Sequence, residues 1–295
     1  MNGFLSIDKP AGMTSHDVVA RVRRLARIKR VGHAGTLDPA ATGVLVVALG
    51  EATRLIEYVQ EETEKRYHAV VRLGITTATE DAEGDVTAEL PVPTLDERAL
   101  RETVARFVGP IMQVPPIYSA LHHQGRRLHE LAREGVSVEL APRPVTIHAI
   151  ELLGYDAPLL TLDVRCGKGT YIRSLARDIG AAIGCGAHLA ALRRTAVGQF
   201  MLADAVALAA LEAEPSHGLL SRALLPSTAA VADWPTLTLD AAAEQRVRNG
   251  MPLRSDAAAD ARVRAERGDG TLVALLRSDG AALHPFKVFA APPAE

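Results

Sequence analysis

Apolar and polar positions along this chain switch repeatedly between helical and strand periods, so short elements of both kinds are predicted in quick succession. "TSHDVVARVRRLARIKR" opens with a capping signal, Thr14 with an acid three residues on at Asp17. It then sets Val18, Val22, Leu25 and Ala26 on one helical face and Arg23, Arg24 and Arg27 on the other. "GVLVVALG" predicts a buried strand bounded by Gly43 and Gly50, and "KRYHAVVRLG" alternates as a second strand. Residues 76–93 have the turn residues of a surface loop, and "TLDERALRETVARFVG" predicts a helix capped by Thr94 and stopped at Gly109. Pro115 and Pro116 keep "MQVPPIYSA" from being a helix interior. Residues 122–144 are expected to form an excursion from the core with a short basic helix. "LLTLDVRC" then predicts a strand, "GTYIRSLARDIGAAIG" a helix, "HLAALRRTAVGQF" a helix or loop entering a strand, and residues 203–212 a helical stretch.

Near Trp234 the texture changes. "DAAAEQRVRNG" predicts a short helix ending at Gly250, and the GDG and SDG turns separate strand-like runs beyond it. The residues thus predict an α+β protein with a central mixed, mostly antiparallel sheet flanked by helices and loops around a basic cleft. A small β-rich domain over 233–295 follows a larger one over 1–232.

A chain of 295 residues with 48% hydrophobic content can bury a sizeable core. Its aliphatic run 44–49 is far short of the ~20 residues a membrane helix needs, and no export pattern opens the chain, so a cytoplasmic address is expected and no membrane. Cys166 and Cys185 are too few and too far apart for a disulfide framework or a paired-cysteine metal site. The net charge of −2 hides an uneven distribution. Residues 1–35 hold seven bases and two acids, residues 165–194 hold six and one, and residues 76–102 compensate with eight acids and two bases. If folding joins the two basic stretches, a near-neutral chain carries a face suited to a phosphate backbone.

"GHAGTLDPAATG" fixes one carboxylate, Asp38, between glycines and ahead of the apolar strand. Pro39 biases Asp38 toward extended backbone, and the glycines permit tight turns and close approach of a ligand. Such a loop presents a carboxylate at a cavity mouth. An aspartate with an ordinary pKa of ~3.9 is already ionised at neutral pH. Other chemistries find no support. A zinc-dependent base deaminase needs paired cysteines, "HELAR" lacks the second histidine of a zinc protease, and "GKGT" lacks P-loop spacing.

The stretch over residues 32–54, "GHAGTLDPAATGVLVVALGEATR", resembles the signature of the TruB family of tRNA pseudouridine synthases. "GFLSIDKPAGMTSHDVV", "KRYHAVVRLG", "PPIYSALHHQGRRLHELAREG" and "CGKGTYIRSLARDIG" with "GAHLAALRR" match in the same order, covering about residues 3–200. The resemblance implies the pseudouridine synthase fold with a PUA-like C-terminal module. It implies an isomerase that extrudes a T-loop uridine, at tRNA position 55, and converts it to pseudouridine without metal or cofactor. Asp38 is the implied catalytic aspartate, acting by addition to C6, by attack at C1′ or by steering elimination. Arg173 is its implied cationic partner, and Tyr67 stacks on the base and assists proton removal. Tyr171 and Leu192 line the uracil pocket, and His33 fills the space the uridine leaves. The excursion corresponds to the family's RNA-binding thumb, departing from the usual pattern at His129.

Arg21, Arg24 and Lys29 are expected to grip the backbone from one side and the excursion from the other. Lys9, Arg126 and Arg127 complete the expected substrate-binding set. The partner is the tRNA T stem-loop, with no protein partner implied and a monomer expected. A non-catalytic RNA-binding protein would use the same basic residues, but it has no reason to aim Asp38 into an anionic ligand's site.

Overall fold

The computed structural model describes residues 1–119, 122–123, 126–127, 140–214 and 218–289. In chain order the first elements are β1 (Gly3–Lys9), α1 (Ser15–Ala26), β2 (Val31–Ala34), β3 (Thr42–Leu49), α2 (Ile56–Glu62) and β4 (Lys65–Leu73). There follow β5 (Ile75–Thr77), β6 (Val86–Glu89), α3 (Glu97–Ala105), β7 (Gly109–Gln113), β8 (His122–His123) and β9 (Arg126–Arg127). Next are β10 (Arg143–Asp156), β11 (Leu159–Cys166), α4 (Ile172–Ile183), β12 (Ala187–Val197), β13 (Phe200–Met201) and β14 (Val206–Ala207). Helices α5 (Leu208–Ala213) and α6 (Gly218–Ala223) lead to the tail elements β15 (Thr236–Thr238), α7 (Ala241–Arg248), β16 (Leu253–Arg254), β17 (Arg262–Glu266), β18 (Leu272–Ser278) and β19 (Ala282–Val288).

Ten strands form the main sheet, in the order β14-β1-β3-β12-β4-β11-β10-β7, with β2 on β3 and β13 on β12. Only β14 on β1 and β12 on β3 pair parallel, so the sheet is mixed and mostly antiparallel, as the residues predict. The run 44–49 is buried at every position because β3 is covered on both faces, by Val18, Val19 and Val22 of α1 on one side and by Tyr58, Val59 and Phe200 on the other. A second apolar cluster joins Ala69, Val71 and Leu73 of β4 and Leu160, Leu162 and Val164 of β11 to Leu175, Ala176 and Ile179 of α4. Helix α1 carries the predicted capping box, with Thr14 and Asp17 bonded reciprocally.

Four expectations are corrected. The helix after residue 94 is capped by Asp96, whose side chain accepts from the Ala99 amide at 2.7 Å; it ends at Ala105, and Gly109 already begins β7. Residues 187–197 are one continuous strand, because pairing with both β3 and β4 outweighs the helical preference of its alanines and leucines. Residues 203–212 break into a single 3₁₀ turn, β14 and the start of α5. The acidic segment 76–93 contains part of a β5–β6 hairpin, and its turn, residues 79–81, reaches the cleft described below.

Tail strands β15-β17-β18-β19-β16 make a five-stranded sheet around Val247, Val263, Val273 and Leu276. This sheet docks on α2. The Trp234 ring stands edge-on to Tyr58 at 5.2 Å, the Arg262 guanidinium lies 4.4 Å over Trp234, and Arg262 reaches both Glu62 oxygens at 2.6 and 3.0 Å. Its other arginines are largely consumed inside the module: Arg248 and Arg267 share Glu244, and Arg264 pairs with Glu266. No helix among the described residues is long and apolar enough to cross a membrane.

Of the excursion, residues 122–123 pair with 126–127 as β8 and β9, while residues 124–125 and 128–139, including His129, lie outside the described residues.

Candidate active site

Asp38 sits between β2 and β3 in a loop held from below by three buried side chains. Lys9, fully enclosed at the end of β1, donates all three ammonium hydrogens to carbonyls of Pro10, Pro39 and Ala41 at 2.9, 3.0 and 2.7 Å. Ser15, the first residue of α1, both accepts from the Leu37 amide and donates to the Leu37 carbonyl, at 2.9 and 3.1 Å. Arg194 of β12 is only 2% exposed and donates to the carbonyls of Val44 and Gly35 at 2.7 and 2.9 Å. Gly43 is required here: its φ is +97°, and a Cβ would come within 2.2 Å of the Arg194 carbonyl oxygen. Each contact fixes loop backbone on one side of Asp38 or the other. The Asp38 carboxylate stays partly exposed.

It faces a pocket of about 620 Å³, lined by Leu37, Tyr67, Tyr171, Arg173, Leu192 and Arg194 among others. Arg173, one residue into α4, places Nε 3.1 Å from Asp38 Oδ2, though its own side chain is only 7% exposed. Its remaining nitrogens are tied back: Nη1 donates to the Thr79 carbonyl at 3.0 Å and lies 3.6 Å from Asp81, and Nη2 donates to the Tyr118 carbonyl at 2.8 Å. The guanidinium thus meets Asp38 in one orientation.

Burial pushes the Asp38 carboxyl above the usual aspartate range; Arg173 chiefly opposes the rise, and the nearby Asp81 charge adds to it. Burial likewise raises the Tyr67 hydroxyl, against the pull of Arg194, so that hydroxyl keeps its proton at neutral pH. Tyr171 is raised for the same reason, with Ser119 opposing. Its backbone is clamped by the Gln113 amide, which accepts from the Tyr171 N–H at 2.8 Å and donates to its carbonyl at 3.1 Å. Lys65 also lines the pocket, 8% exposed and donating to the carbonyls of Gln60 and Thr63 at 2.6 and 2.9 Å; burial brings its pKa down to about 8. Lys168 and Glu61 pair at 2.6 Å on the same lining.

The fold therefore brings Asp38, Tyr67, Tyr171, Arg173 and Leu192 together around one cavity, from segments scattered between residues 38 and 192. His33, on β2, is not among the residues lining that cavity; its ring is 5.3 Å from His16 and its Nδ1 is buried without a hydrogen-bond partner, and burial first, then His16, brings its pKa down to about 4. The sequence expectation for Lys9 is corrected, since an enclosed ammonium with three carbonyl partners supports the Asp38 loop and cannot reach a ligand.

The expected positive face also changes character. Arg173 and Arg194 are buried, Arg177 pairs with Glu80 and Asp178, Arg193 with Asp8, and Arg21 with Glu212. Arg24 in the last turn of α1 and Lys29 just beyond the helix stand exposed, and Arg126 is exposed on β9 beside Arg127.

Ser15, Gln113, Arg194 and the 79–81 turn escape a reading of the sequence alone. For Arg194 a signal existed: in a strand, two adjacent arginines face opposite sides, so one of the pair 193–194 had to point inward. Gln113 and the turn left no such trace, because their partners lie about 58 and 94 residues away in the chain.

Comparison with known proteins bears on this arrangement of groups. The family profile described as TruB family pseudouridylate synthase, N-terminal domain, matches residues 23–172, and that of the tRNA pseudouridylate synthase B C-terminal domain matches 173–232. Similar curated relatives include the tRNA pseudouridine synthase B of Dehalococcoides mccartyi (strain CBDB1), 45% identical over 98% of this chain and 97% of the relative. That of Dechloromonas aromatica (strain RCB) is 48% identical over 90% of this chain and 89% of its own length. Among solved structures, a Cbf5-Nop10-Gar1 complex and an H/ACA RNP bound to a substrate RNA containing 2′-deoxyuridine match with TM-scores of 0.75 and 0.74. They are 27% and 26% identical, and each match covers 98% of this chain and 85% of that one. The fold is that of the pseudouridine synthases, and with these matches spanning nearly its whole length the chain belongs to the TruB family of pseudouridylate synthases.

Proposed function

We propose that this protein isomerises the uridine at position 55 in the T loop of tRNA to pseudouridine, with Asp38 as the catalytic carboxylate. The observation that carries this reading is the Asp38–Arg173 pair, one carboxylate held by a buried guanidinium at the wall of a cavity flanked by Tyr67, Tyr171 and Leu192. In the reaction the C1′–N1 bond breaks, the uracil turns, and a C1′–C5 bond forms while C5 loses a proton and N1 gains one. Atoms balance without an external reactant. Asp38, ionised at neutral pH with Arg173 beside it, supplies negative charge to the sugar or the base as the glycosidic bond is cut. Tyr67 stacks on the uracil, and its hydroxyl, kept protonated by burial, relays the C5 proton rather than holding it. Tyr171 and Leu192 close the apolar walls, and His33, neutral, occupies the place the base vacates.

The base leaves its stack at a cost of a few kcal/mol, offset by backbone contacts. Arg24 in the last turn of α1 and Lys29 just beyond it, with Arg126 and Arg127, supply them. We assign residues 1–232 to the catalytic domain and 233–295 to a PUA-like module, and place the enzyme in the cytoplasm as a monomer acting on tRNA.

The test is incubation of the purified protein with an unmodified T stem-loop, with and without chelator, followed by mapping of pseudouridine. Product at the T-loop uridine in both samples is expected, with Asp38→Asn abolishing it while RNA still binds. No product from the unaltered protein, or loss of binding together with activity in Asp38→Asn, would overturn the reading.

A further inference from the structure

Helix α4 must start at one place and at one angle, since Tyr171 lines the cavity just before its first turn and Arg173 meets Asp38 within it. Yet the residue preceding the helix contributes no side-chain cap. The first amide donors of a helix need partners from elsewhere, and here one comes from across the sheet. Gln113, the last residue of β7 and 2% exposed, accepts from the Tyr171 N–H and donates to the Tyr171 carbonyl, which also receives the Leu175 amide. Beyond Gln113 the chain runs through buried Pro115 and Pro116 to Tyr118, whose carbonyl receives Arg173 Nη2, and Arg177 reaches the Val114 carbonyl at 3.1 Å. Two prolines with fixed φ make this connection a stiff spacer. Segment 113–118 is therefore stitched to α4 at Tyr171, Arg173 and Arg177.

We infer that Gln113 is a positioning residue for the isomerisation: its side-chain amide sets where α4 begins, and so holds Tyr171 against the uracil and aims Arg173 at Asp38. Gln113 does not reach the base; it acts through the Tyr171 backbone. This rests on the proposed reading of the pocket. An amide is needed because the clamp requires one acceptor and one donor on a single planar group. Alanine supplies neither. An ionised glutamate keeps the acceptor and sets a negative oxygen against the Tyr171 carbonyl, whereas a protonated glutamic acid restores the donor in nearly the same shape.

Gln113→Ala and Gln113→Glu are compared with the unaltered protein on the unmodified T stem-loop, in single-turnover and steady-state assays across mildly acidic to mildly alkaline pH. Gln113→Ala should lower kcat at least tenfold with KM changed by less than about threefold. In Gln113→Glu the activity relative to the unaltered protein at the same pH should rise as pH falls and the buried carboxyl takes up its proton. A residue needed only for folding would move the melting temperature without producing that relative pH profile. If Gln113→Ala is too unstable to assay, the Gln113→Glu ratio decides alone. A kcat within twofold of normal for Gln113→Ala, or a flat Gln113→Glu ratio, overturns the inference. Absence of product from the unaltered protein overturns the reading beneath it as well.

Discussion

Arg173 approaches Asp38 through Nε, 3.1 Å from Oδ2, while its two terminal nitrogens are committed to the carbonyls of Thr79 and Tyr118. The fork geometry lets one cation orient a carboxylate and brace two separate loops at once. A lysine carries the same charge at a point and cannot span these partners. Arg173→Lys should therefore lower kcat by about 10²–10³-fold, in line with the loss of a preorganised electrostatic partner, while circular dichroism and RNA affinity stay near normal. Activity within fivefold of the unaltered protein would mean that charge alone suffices.

The pH dependence of the rate follows from the same pair. In the proposed reaction Asp38 acts ionised, and burial has raised its pKa, so activity should be lost on the acid side with a midpoint above the ordinary aspartate value of 3.8. Asp81 contributes to that rise, and Asp81→Asn should move the midpoint to lower pH, although the lost brace on Arg173 also lowers the maximal rate. His33, at about 4, is neutral through the neutral range, so no limb is expected near pH 6.5. Single-turnover rates measured from acidic through neutral pH check all three statements.

Lys9 tests the scaffold beneath the Asp38 loop. Replacing it with methionine removes the buried charge but leaves the carbonyls of Pro10 and Ala41 without the Lys9 donor, while Pro39 keeps the Gly12 amide. Orphaned buried acceptors of this kind cost ~1–3 kcal/mol each. Lys9→Met should thus destabilise the protein by roughly 2–4 kcal/mol in urea unfolding, with kcat falling as the Asp38 loop loosens. Ser15→Ala, which strips both bonds to Leu37, should cost less, about 1–2 kcal/mol.

Arg24 and Lys29 are proposed to meet phosphates, whereas most arginines of the tail sheet are engaged within the protein. Arg24→Ala with Lys29→Ala should weaken RNA binding and flatten the dependence of log K on log salt by up to about 2, near 1 for each phosphate no longer neutralised. Arg264→Ala should leave that slope unchanged. Equal effects from both sets, measured by filter binding over a salt series, would place the RNA on the tail instead.

The joint between tail and body gives a stability test. The Arg262–Glu62 pair is about one-third exposed on each side, which limits its worth to ~0–1 kcal/mol. The Trp234 ring, packed against Tyr58, should matter more: Trp234→Ala is expected to cost about 3 kcal/mol. Because Gln60 and Glu61 of the docked helix α2 line the pocket, kcat should fall with it. Thermal unfolding and steady-state rates check this together.

The linear chain already carried the local elements whose signals lie within a few residues: the Thr14–Asp17 cap, the buried run 44–49, the alternation of 65–73, and the turns of the tail. It also marked the loop carrying Asp38, because glycine and proline restrict backbone through their own covalent structure. Residues 187–197 extend as a strand only in the tertiary structure, since pairing energy from β3 and β4 outweighs propensity. Only there do the basic residues part into buried braces such as Lys9 and Arg194 and exposed cations such as Arg24 and Lys29. A lysine has the same composition in either place. What assigns its role is which carbonyls and carboxylates the folded chain sets around it, and those come from segments that the linear order keeps far apart.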